Sequence, residues 1–181
     1  MTKFNVASIN CCTEIEGPNK RLTIWFQGCT LHCKGCCNPD YQALEPRNIL
    51  TLDELMKIII DSKEKYGIDG ITYSGGEPTL QQNLKQLTDE IHKIGLGVIS
   101  FTGRRYEEVQ STLGNCDVVL DGAFIEEQKE ARRKVLGSTN QRVIVLTNRY
   151  PDCEKWFFDN GSKTVEINIT DKIIANGDAV L

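Results

Sequence analysis

Four cysteines of this chain lie within nine residues, at Cys29, Cys33, Cys36 and Cys37. The spacing Cys29-x3-Cys33-x2-Cys36 brings three thiolates around one point, just after the apolar residues 22–26. Three thiolates suit a cubane iron–sulfur cluster whose fourth iron has no protein ligand. Because an open coordination position lets a metal bind and transform a substrate, the spacing predicts a reactive centre with these three cysteines as metal ligands.

A structural zinc site is the alternative interpretation, with His32 or Cys37 as the fourth ligand. Zinc sites usually use two separated pairs of ligands, whereas the other cysteines of this chain lie singly or side by side, so the spacing favours iron and sulfur. Cys37 directly follows Cys36, and we expect its side chain to be directed away from a shared metal rather than to bind it. The remaining cysteines are interpreted as small buried side chains: Cys11, Cys12, Cys116 and Cys153.

The composition is that of an ordinary globular chain of 181 residues, enough for one domain with a sizeable core. A net charge of −4 does not suggest nucleic-acid binding, although short basic patches occur at Arg104-Arg105 and Arg132-Arg133-Lys134. We find neither a signal-peptide pattern nor an apolar run near the ~18 residues of a membrane span, so we expect a cytoplasmic protein without membrane contact. In a reducing compartment, eight cysteines indicate metal binding rather than disulfides.

Strand and helix patterns alternate from about residue 21 to 146, which predicts an α/β fold with a mostly parallel sheet and right-handed crossovers. Thr51 and Glu54 form a capping-box pattern at the start of the first helix. The other expected elements are strands at 4–9, 21–27, 71–74, 97–102, 118–120 and 142–146, a second helix with the apolar stripe Leu80, Leu84, Leu87, Ile91 and Ile94, and helices at 106–113 and 124–134.

The C-terminal part has a different pattern. Residues 163–170 alternate like a strand, and Asn176-Gly177 is a hairpin turn signal. Because no linker separates this part, we expect a single domain over 1–181, with a core at about 4–147 and a small β-rich extension at 148–181. The extension would either recognise a partner or cover an apolar sheet edge.

A second motif, Gly75-Gly76-Glu77-Pro78, follows a predicted strand and opens a helix, where ligands bind in parallel α/β folds. Two glycines permit close approach of a ligand to the main chain and positive φ. Exposed carbonyl groups, with the Glu77 carboxylate nearby, would receive a cationic ammonium group. The alternative is an ordinary strand-to-helix turn with Pro78 at the first helical position.

The two motifs together resemble those of the radical S-adenosylmethionine (SAM) enzymes, and more narrowly the small activating enzymes of anaerobic (class III) ribonucleotide reductase. The resemblance covers roughly residues 4–147 and is carried by residues 28–38, 74–78, 119–124 and 137–141. It implies an incomplete (β/α) barrel with the cluster at the C-terminal strand ends. A short chain leaves the barrel open on one side, and we expect the opening to admit a loop of another protein.

The resemblance also implies an activity. Cys29, Cys33 and Cys36 would hold a 4Fe–4S cluster, and the amino and carboxylate groups of SAM would chelate its fourth iron. An electron from flavodoxin or ferredoxin would cleave SAM to a 5′-deoxyadenosyl radical, which abstracts hydrogen. In an activating enzyme the hydrogen comes from a glycine of a partner glycyl radical enzyme. Modification of a peptide, nucleotide or other small molecule is a second hypothesis, and a non-enzymatic zinc-binding module is a third.

Roles for cofactor-binding residues follow from the same resemblance. Gly75-Gly76-Glu77 would receive the methionine ammonium group, and Gly35, Cys36 and Cys37 would lie along the adenine edge.

Three polar residues follow later strands. Ser100 and Thr102 would hydrogen-bond the methionyl carboxylate or the ribose, and Asp121 would reach the same ligand. For each, a hydrogen-bonded loop residue is the alternative. Asn140 and Gln141 are expected to tie the end of the sheet together by amide hydrogen bonds.

Two positions depart from the pattern of the activating enzymes. They usually have Lys after the Asp-Gly that matches Asp121-Gly122, and often an aromatic residue after the third cysteine. Here those positions are Ala123 and Cys37. The first change removes a cationic partner for the ligand carboxylate, and the second removes a stacking surface near adenine.

Overall fold

A computed structural model of the chain describes residues 2–158, 165–169 and 173–177. Its strands are β1 (Lys3–Thr13), β2 (Arg21–Phe26), β3 (Asn48–Thr51), β4 (Gly70–Gly75), β5 (Gly97–Thr102), β6 (Val118–Asp121), β7 (Arg142–Val145), β8 (Val165–Ile169) and β9 (Ile173–Gly177). Its α-helices are α1 (Leu52–Tyr66), α2 (Leu84–Lys93), α3 (Tyr106–Leu113) and α4 (Cys153–Phe158). Short 3₁₀ turns lie at Pro39–Tyr41, Pro78–Leu80 and Glu126–Gln128.

Seven strands form one sheet in the order β3-β1-β2-β4-β5-β6-β7. The four central strands, β2, β4, β5 and β6, are parallel to one another. The outer pairings β3-β1, β1-β2 and β6-β7 are antiparallel. The fold is therefore α/β as predicted, but the prediction of a mostly parallel sheet was wrong, because the sheet is mixed.

The direction of each pairing follows from what connects the strands. Helices α1, α2 and α3 lie between successive central strands, and such crossovers return the chain in the same direction. No α-helix separates β1 from β2 or β6 from β7, and these neighbours run in opposite directions. The antiparallel flanks thus go with connections, 14–20 and 122–141, that contain no α-helix.

The segment 124–134 is not the helix that its composition predicted. Apart from the turn Glu126–Gln128 it has no helical structure. The Glu130 carboxylate accepts hydrogen bonds from the N–H groups of Ala131 and Arg132, at 2.9 and 2.8 Å, and from the Arg133 side chain. Side-chain oxygens that occupy backbone donors in this way compete with helix formation.

The C-terminal strands β8 and β9 form a separate two-stranded antiparallel sheet. Asn176 and Gly177 lie within β9, where they pair with Glu166 and Val165, so their prediction as a hairpin turn was wrong. The connection between the strands, 170–172, lies outside the described residues. Glu166 joins this hairpin to β1 by accepting hydrogen bonds from Asn10 Nδ2 and Thr13 Oγ1, at 3.1 and 2.8 Å.

Alternating residues of the sheet bury side chains on its two faces. On one face Val98 packs in the main core with α1, α2 and α3. On the other face Ile99 packs in a smaller core with Phe157 of α4. The predicted capping box is confirmed at the start of α1, where Thr51 and Glu54 exchange hydrogen bonds. Within the described residues, no helix has the length and apolar character needed to cross a membrane.

Candidate iron–sulfur and cofactor site

The register of the central strands brings the predicted site residues to one edge of the sheet. Phe26 pairs with Gly75 between β2 and β4, and Thr102 pairs with Asp121 between β5 and β6. All four parallel strands therefore end at the same edge. The cysteine loop follows β2 there, and the Gly-Gly-Glu-Pro motif follows β4. This is the edge at which parallel α/β sheets bind ligands.

The cysteine loop is anchored at its base by backbone hydrogen bonds. Gly28 N–H donates to Tyr41 C=O at 2.8 Å, and Cys29 N–H donates to Gln42 C=O at 3.0 Å. Beyond this base the chain makes a turn in which His32 and Gly35 adopt positive φ, 49° and 71°. Cys29 is buried, whereas Cys33 and Cys36 are half-buried. The loop thus begins in the protein interior and carries its second and third thiols toward the surface.

Two of the three predicted ligand sulfurs accept backbone hydrogen bonds. Leu31 N–H lies 3.5 Å from Cys29 Sγ, and Asn38 N–H lies 3.4 Å from Cys36 Sγ. Hydrogen bonds to cysteine sulfur stabilise the thiolate form that metals bind and tune iron–sulfur clusters. Burial raises the pKa of the Cys29 thiol. The loop therefore supplies both shielding and donors to sulfur.

Cys37 lies against Cys36. A hydrogen bond from the Cys37 thiol is the main cause that lowers the pKa of Cys36 to about 5, and the same contact raises the pKa of Cys37. The Cys37 side chain is thus within hydrogen-bonding reach of the Cys36 sulfur. Its interpretation as a neighbour of the site rather than a ligand stays a prediction.

The chemistry of this donor set fits a 4Fe–4S cluster, because three free thiols lie in one loop with amide donors to two of the sulfurs. Among residues 2–158, 165–169 and 173–177, no group of three or more His, Cys, Asp or Glu side chains converges as it would around a single metal ion. Thiolates that share a cube of four irons are held farther apart than those that share one ion. The assignment of Cys29, Cys33 and Cys36 as ligands stays a prediction.

The two glycines of the Gly-Gly-Glu-Pro motif are required by close contacts with the neighbouring chain. A Cβ atom on Gly75 would lie 2.4 Å from Phe26 N, and one on Gly76 would lie 2.2 Å from Gly28 O. Gly76 N–H donates to Phe26 C=O, and Glu77 N–H donates to Gly28 C=O, at 2.9 and 2.8 Å. The motif is thereby fixed against the base of the cysteine loop. Its role in binding an ammonium group stays a prediction.

The Glu77 side chain is fully buried and accepts four hydrogen bonds. Its Oε1 accepts from Thr79 N and Oγ1 and from Thr102 Oγ1, at 3.1, 2.6 and 2.8 Å. Its Oε2 accepts from Gly103 N at 2.9 Å. The carboxylate caps the turn at Pro78–Leu80 and ties it to the end of β5. Sequence reasoning missed Thr79 and Gly103, because a contact between two strand ends has no local signal.

Thr102 and Ser100 have different positions on β5. Thr102 ends the strand, and its hydroxyl group donates to Glu77 and accepts from Arg104 N–H at 3.1 Å. Ser100 lies two residues earlier, is fully buried, and donates to Phe101 C=O at 3.1 Å. Both side chains are hydrogen-bonded within the protein. Contact of either with the cofactor stays a prediction.

Asp121 is buried at the end of β6 in a network of hydrogen bonds. Its carboxylate pairs with Arg142, accepts from Tyr106 N–H at 2.8 Å, and lies 3.7 Å from Arg105 Nη1. Burial would raise the pKa of Asp121, but the hydrogen bonds from Arg142 and Tyr106 outweigh it and lower the pKa. Asp121 thus joins β6, β7 and α3, and the sequence had no signal for its pairing with Arg142.

The loop after β6 packs against the cysteine loop. A Cβ atom on Gly35 would lie 3.2 Å from Glu126 Oε1, and Lys34 Nζ forms an ion pair with Glu126 at 2.8 Å. Asn140 Nδ2 donates to Ala123 C=O and Gln141 Nε2 to Gly122 C=O, both at 2.9 Å. The prediction that these two amides tie the sheet end together is confirmed.

A comparison with known proteins matches a stretch of the chain that contains the residues of this site. A family model described as "4Fe-4S single cluster domain" matches residues 15–144. The pyruvate formate-lyase-activating enzymes of Staphylococcus epidermidis and Staphylococcus aureus are each 29% identical over 171 residues, covering 86% of this chain and 66% of the relative. The chain thus spans just under two thirds of the length of these curated relatives.

One solved structure is also similar in part. The crystal structure of QueE from Escherichia coli has a TM-score of 0.47 and 17% sequence identity, and the match covers 56% of this chain and 53% of that chain.

Proposed function

The chain belongs to the family of 4Fe-4S single cluster domains, and on this premise we propose that it activates a glycyl radical enzyme. The resemblance to radical SAM enzymes of the activating type is confirmed by the family match and by the activating-enzyme relatives, and with it the cofactors, a 4Fe–4S cluster and SAM. The activity itself and the partner enzyme are proposals. The observation that carries them is the likeness to activating enzymes over 86% of the chain. The family match over residues 15–144 includes both site motifs.

When bound, the reduced cluster and SAM supply a 5′-deoxyadenosyl radical that removes a hydrogen atom. Cys29, Cys33 and Cys36 would hold the cluster, and the backbone donors of Leu31 and Asn38 would stabilise two of their sulfurs. The burial of Cys29 supports a centre that is partly shielded from water.

The Gly-Gly-Glu-Pro turn would position SAM beside the cysteine loop. Its backbone lies against Phe26 and Gly28, so its carbonyl groups have fixed places relative to the cysteines. The Glu77 carboxylate is already engaged by four donors, and we propose that it shapes the turn while backbone carbonyl groups receive the ammonium group. This modifies the expected role of Glu77 from nearby acceptor to positioning residue.

We infer that the sheet curves as an open partial barrel and that a glycine-bearing loop of the partner enters from the open side. A glycine Cα–H is the hydrogen source that this chemistry requires. The sequence resemblance favours anaerobic ribonucleotide reductase as the partner, and the names of the relatives favour pyruvate formate-lyase. Flavodoxin or ferredoxin is the proposed electron donor.

Mixing experiments test this proposal. The anaerobically reconstituted protein, SAM and a reductant would be incubated with either candidate enzyme from the same organism, and electron paramagnetic resonance spectra recorded. A glycyl-radical doublet with one of them supports activation and identifies the partner. Formation of 5′-deoxyadenosine without a doublet from either enzyme would favour the alternative, a radical SAM enzyme that modifies a peptide, nucleotide or small molecule.

A further inference from the structure

Arg104 lies where three parts of the site meet. Its backbone C=O accepts a hydrogen bond from Gly122 N–H at 3.1 Å, and its own N–H donates to Thr102, the partner of Glu77. Its guanidinium reaches the cysteine loop, where Nη2 donates to Thr30 Oγ1 at 3.3 Å. One residue therefore contacts the ends of β5 and β6 and the loop that carries the cluster ligands.

The charge of Arg104 has no acidic partner among the residues that the structure describes. Its neighbour Arg105 faces Asp121, and Arg142 pairs with Asp121 and Glu107. Arg104 has the Thr30 hydroxyl group as the sole polar contact of its half-buried side chain within the same residues. Two guanidinium nitrogens, Nε and Nη1, are thus left to bind an anion, and a guanidinium matches a carboxylate in a two-pronged geometry.

Arg104 also lies close to Ala123, a position at which this chain lacks an expected positive charge. The resemblance to the activating enzymes, which usually have Lys where this chain has Ala123, implies a cationic partner for the ligand carboxylate at that position. A Cβ atom on Gly103 would lie 3.7 Å from Ala123 Cα, so the residue before Arg104 lies beside the altered position. A cation lost at Ala123 can therefore be replaced from the neighbouring strand end.

We propose that Arg104 binds the methionyl carboxylate of SAM and takes the role left open by Ala123. The inference rests on the proposed function, because it requires SAM at this edge of the sheet. Ser100 and Thr102 are less suited to the task, since their hydroxyl groups already donate to Phe101 C=O and to Glu77. Arg104 would act in binding and orientation and takes no part in electron transfer.

Equilibrium binding tests the assignment without turnover. The reconstituted protein, kept oxidised and anaerobic, would be titrated with SAM and with decarboxylated SAM, which lacks the carboxylate. We expect Arg104→Ala to weaken SAM binding roughly tenfold to a hundredfold, as for loss of a charged hydrogen-bonded pair, and to bind decarboxylated SAM as the wild type does. Arg104→Lys should restore part of the affinity for SAM.

Arg132→Ala is the matched control, since it removes one exposed positive charge far along the chain and should bind both compounds like the wild type. Equal iron content and circular dichroism would show that all variants are folded and loaded. Unchanged SAM affinity in Arg104→Ala, or equal losses for both compounds, would overturn the assignment of Arg104 alone. A wild-type protein that binds neither compound would overturn the proposed function together with it.

Discussion

The Thr102 hydroxyl group donates a 2.8 Å hydrogen bond to the buried carboxylate of Glu77, which joins the loop after β5 to the loop after β4. The two residues are 25 positions apart in the sequence, and each was singled out for a different contact with SAM. Their direct bond means that the two loops form one preorganised unit beside the cysteine loop. The first prediction follows from the charge of that carboxylate.

Replacing Glu77 by Gln should destabilise the protein and weaken SAM binding. All four partners of Glu77 act as donors, so a Gln side chain would direct its own NH₂ group at a donor in a fully buried place. We expect a loss of roughly 1–3 kcal/mol in the free energy of unfolding, measured by urea denaturation. Glu90→Gln, which alters an exposed pair with Lys93, should cost less than about 1 kcal/mol. Equal losses in the two variants would contradict this account of Glu77.

Gly76→Ala should destabilise the protein more than the same substitution at a glycine with free space around its Cα. The added Cβ would lie 2.2 Å from Gly28 O and 2.6 Å from Tyr41 O, and backbone atoms cannot rotate aside. A loss of roughly 3 kcal/mol or more is expected, with reduced iron incorporation because the base of the cysteine loop must shift.

The matched control is Gly67→Ala, at the end of α1. Gly67 has φ +63°, and a Cβ atom added there would meet nothing within 4 Å, so only the left-handed conformation, about 1–2 kcal/mol, opposes the change. Thermal unfolding of both variants would decide the point, and a Gly76→Ala protein as stable as Gly67→Ala would show that the close contact is not a constraint.

Glu130 should contribute a pH-dependent part of the stability. Burial would raise the pKa of Glu130, but hydrogen bonds from Arg132, Arg133 and Ala131 outweigh it and lower the pKa from 4.5 to about 2. A carboxyl group whose pKa is lowered in the folded state stabilises the protein fully at pH values above its ordinary pKa of 4.5. This contribution to stability is lost as the pH falls toward 2.

The difference in unfolding free energy between the wild type and Glu130→Gln should therefore shrink by roughly 3 kcal/mol between pH 6 and pH 2, as measured by urea titrations at each pH. A difference that stays constant over this range would mean that Glu130 has no such linkage.

How far the sequence determines the fold can be judged from particular segments. The bounds of β5 and α3 were predicted correctly, because Gly97 and the residues around Arg105 interrupt clear apolar patterns. The segment 124–134 was predicted wrongly as a helix, because backbone N–H groups donate to the Glu130 carboxylate instead of forming helical hydrogen bonds. Arg21 illustrates a further limit. Arg21 is fully buried, and its guanidinium donates hydrogen bonds to Thr72 Oγ1 and Ile71 C=O and lies over the Tyr150 ring. A charged residue in a strand pattern gives no indication of such burial.

The site residues likewise fall into those that local sequence predicts and those that it does not. The cysteine spacing and the Gly-Gly-Glu-Pro motif are local signals, so their positions at adjacent strand ends could be predicted from the sequence. The partners of Asp121 could not, because Arg142 lies 21 residues away and meets it only through the antiparallel pairing of β6 and β7. Contacts across strand ends depend on register, and register is a property of the whole sheet.

Single alanine variants of the cysteines should separate ligands from neighbours. We expect Cys29→Ala, Cys33→Ala and Cys36→Ala each to abolish the 4Fe–4S cluster, because each removes one of three protein ligands. Cys37→Ala should keep normal iron and sulfide after anaerobic reconstitution, and it serves as the matched control at the adjacent position. Loss of iron from Cys37→Ala, or a full cluster in any of the other three, would show that the ligands are assigned wrongly.

Reductive cleavage of SAM is the most direct measurement of the central claim. The reconstituted wild-type protein would be incubated anaerobically with SAM and a strong reductant, and the products separated by chromatography. We predict formation of 5′-deoxyadenosine and methionine that depends on both the cluster and the reductant and is absent in Cys33→Ala. Intact SAM after incubation with a fully loaded, reduced cluster would contradict the assignment of this chain as a radical SAM enzyme.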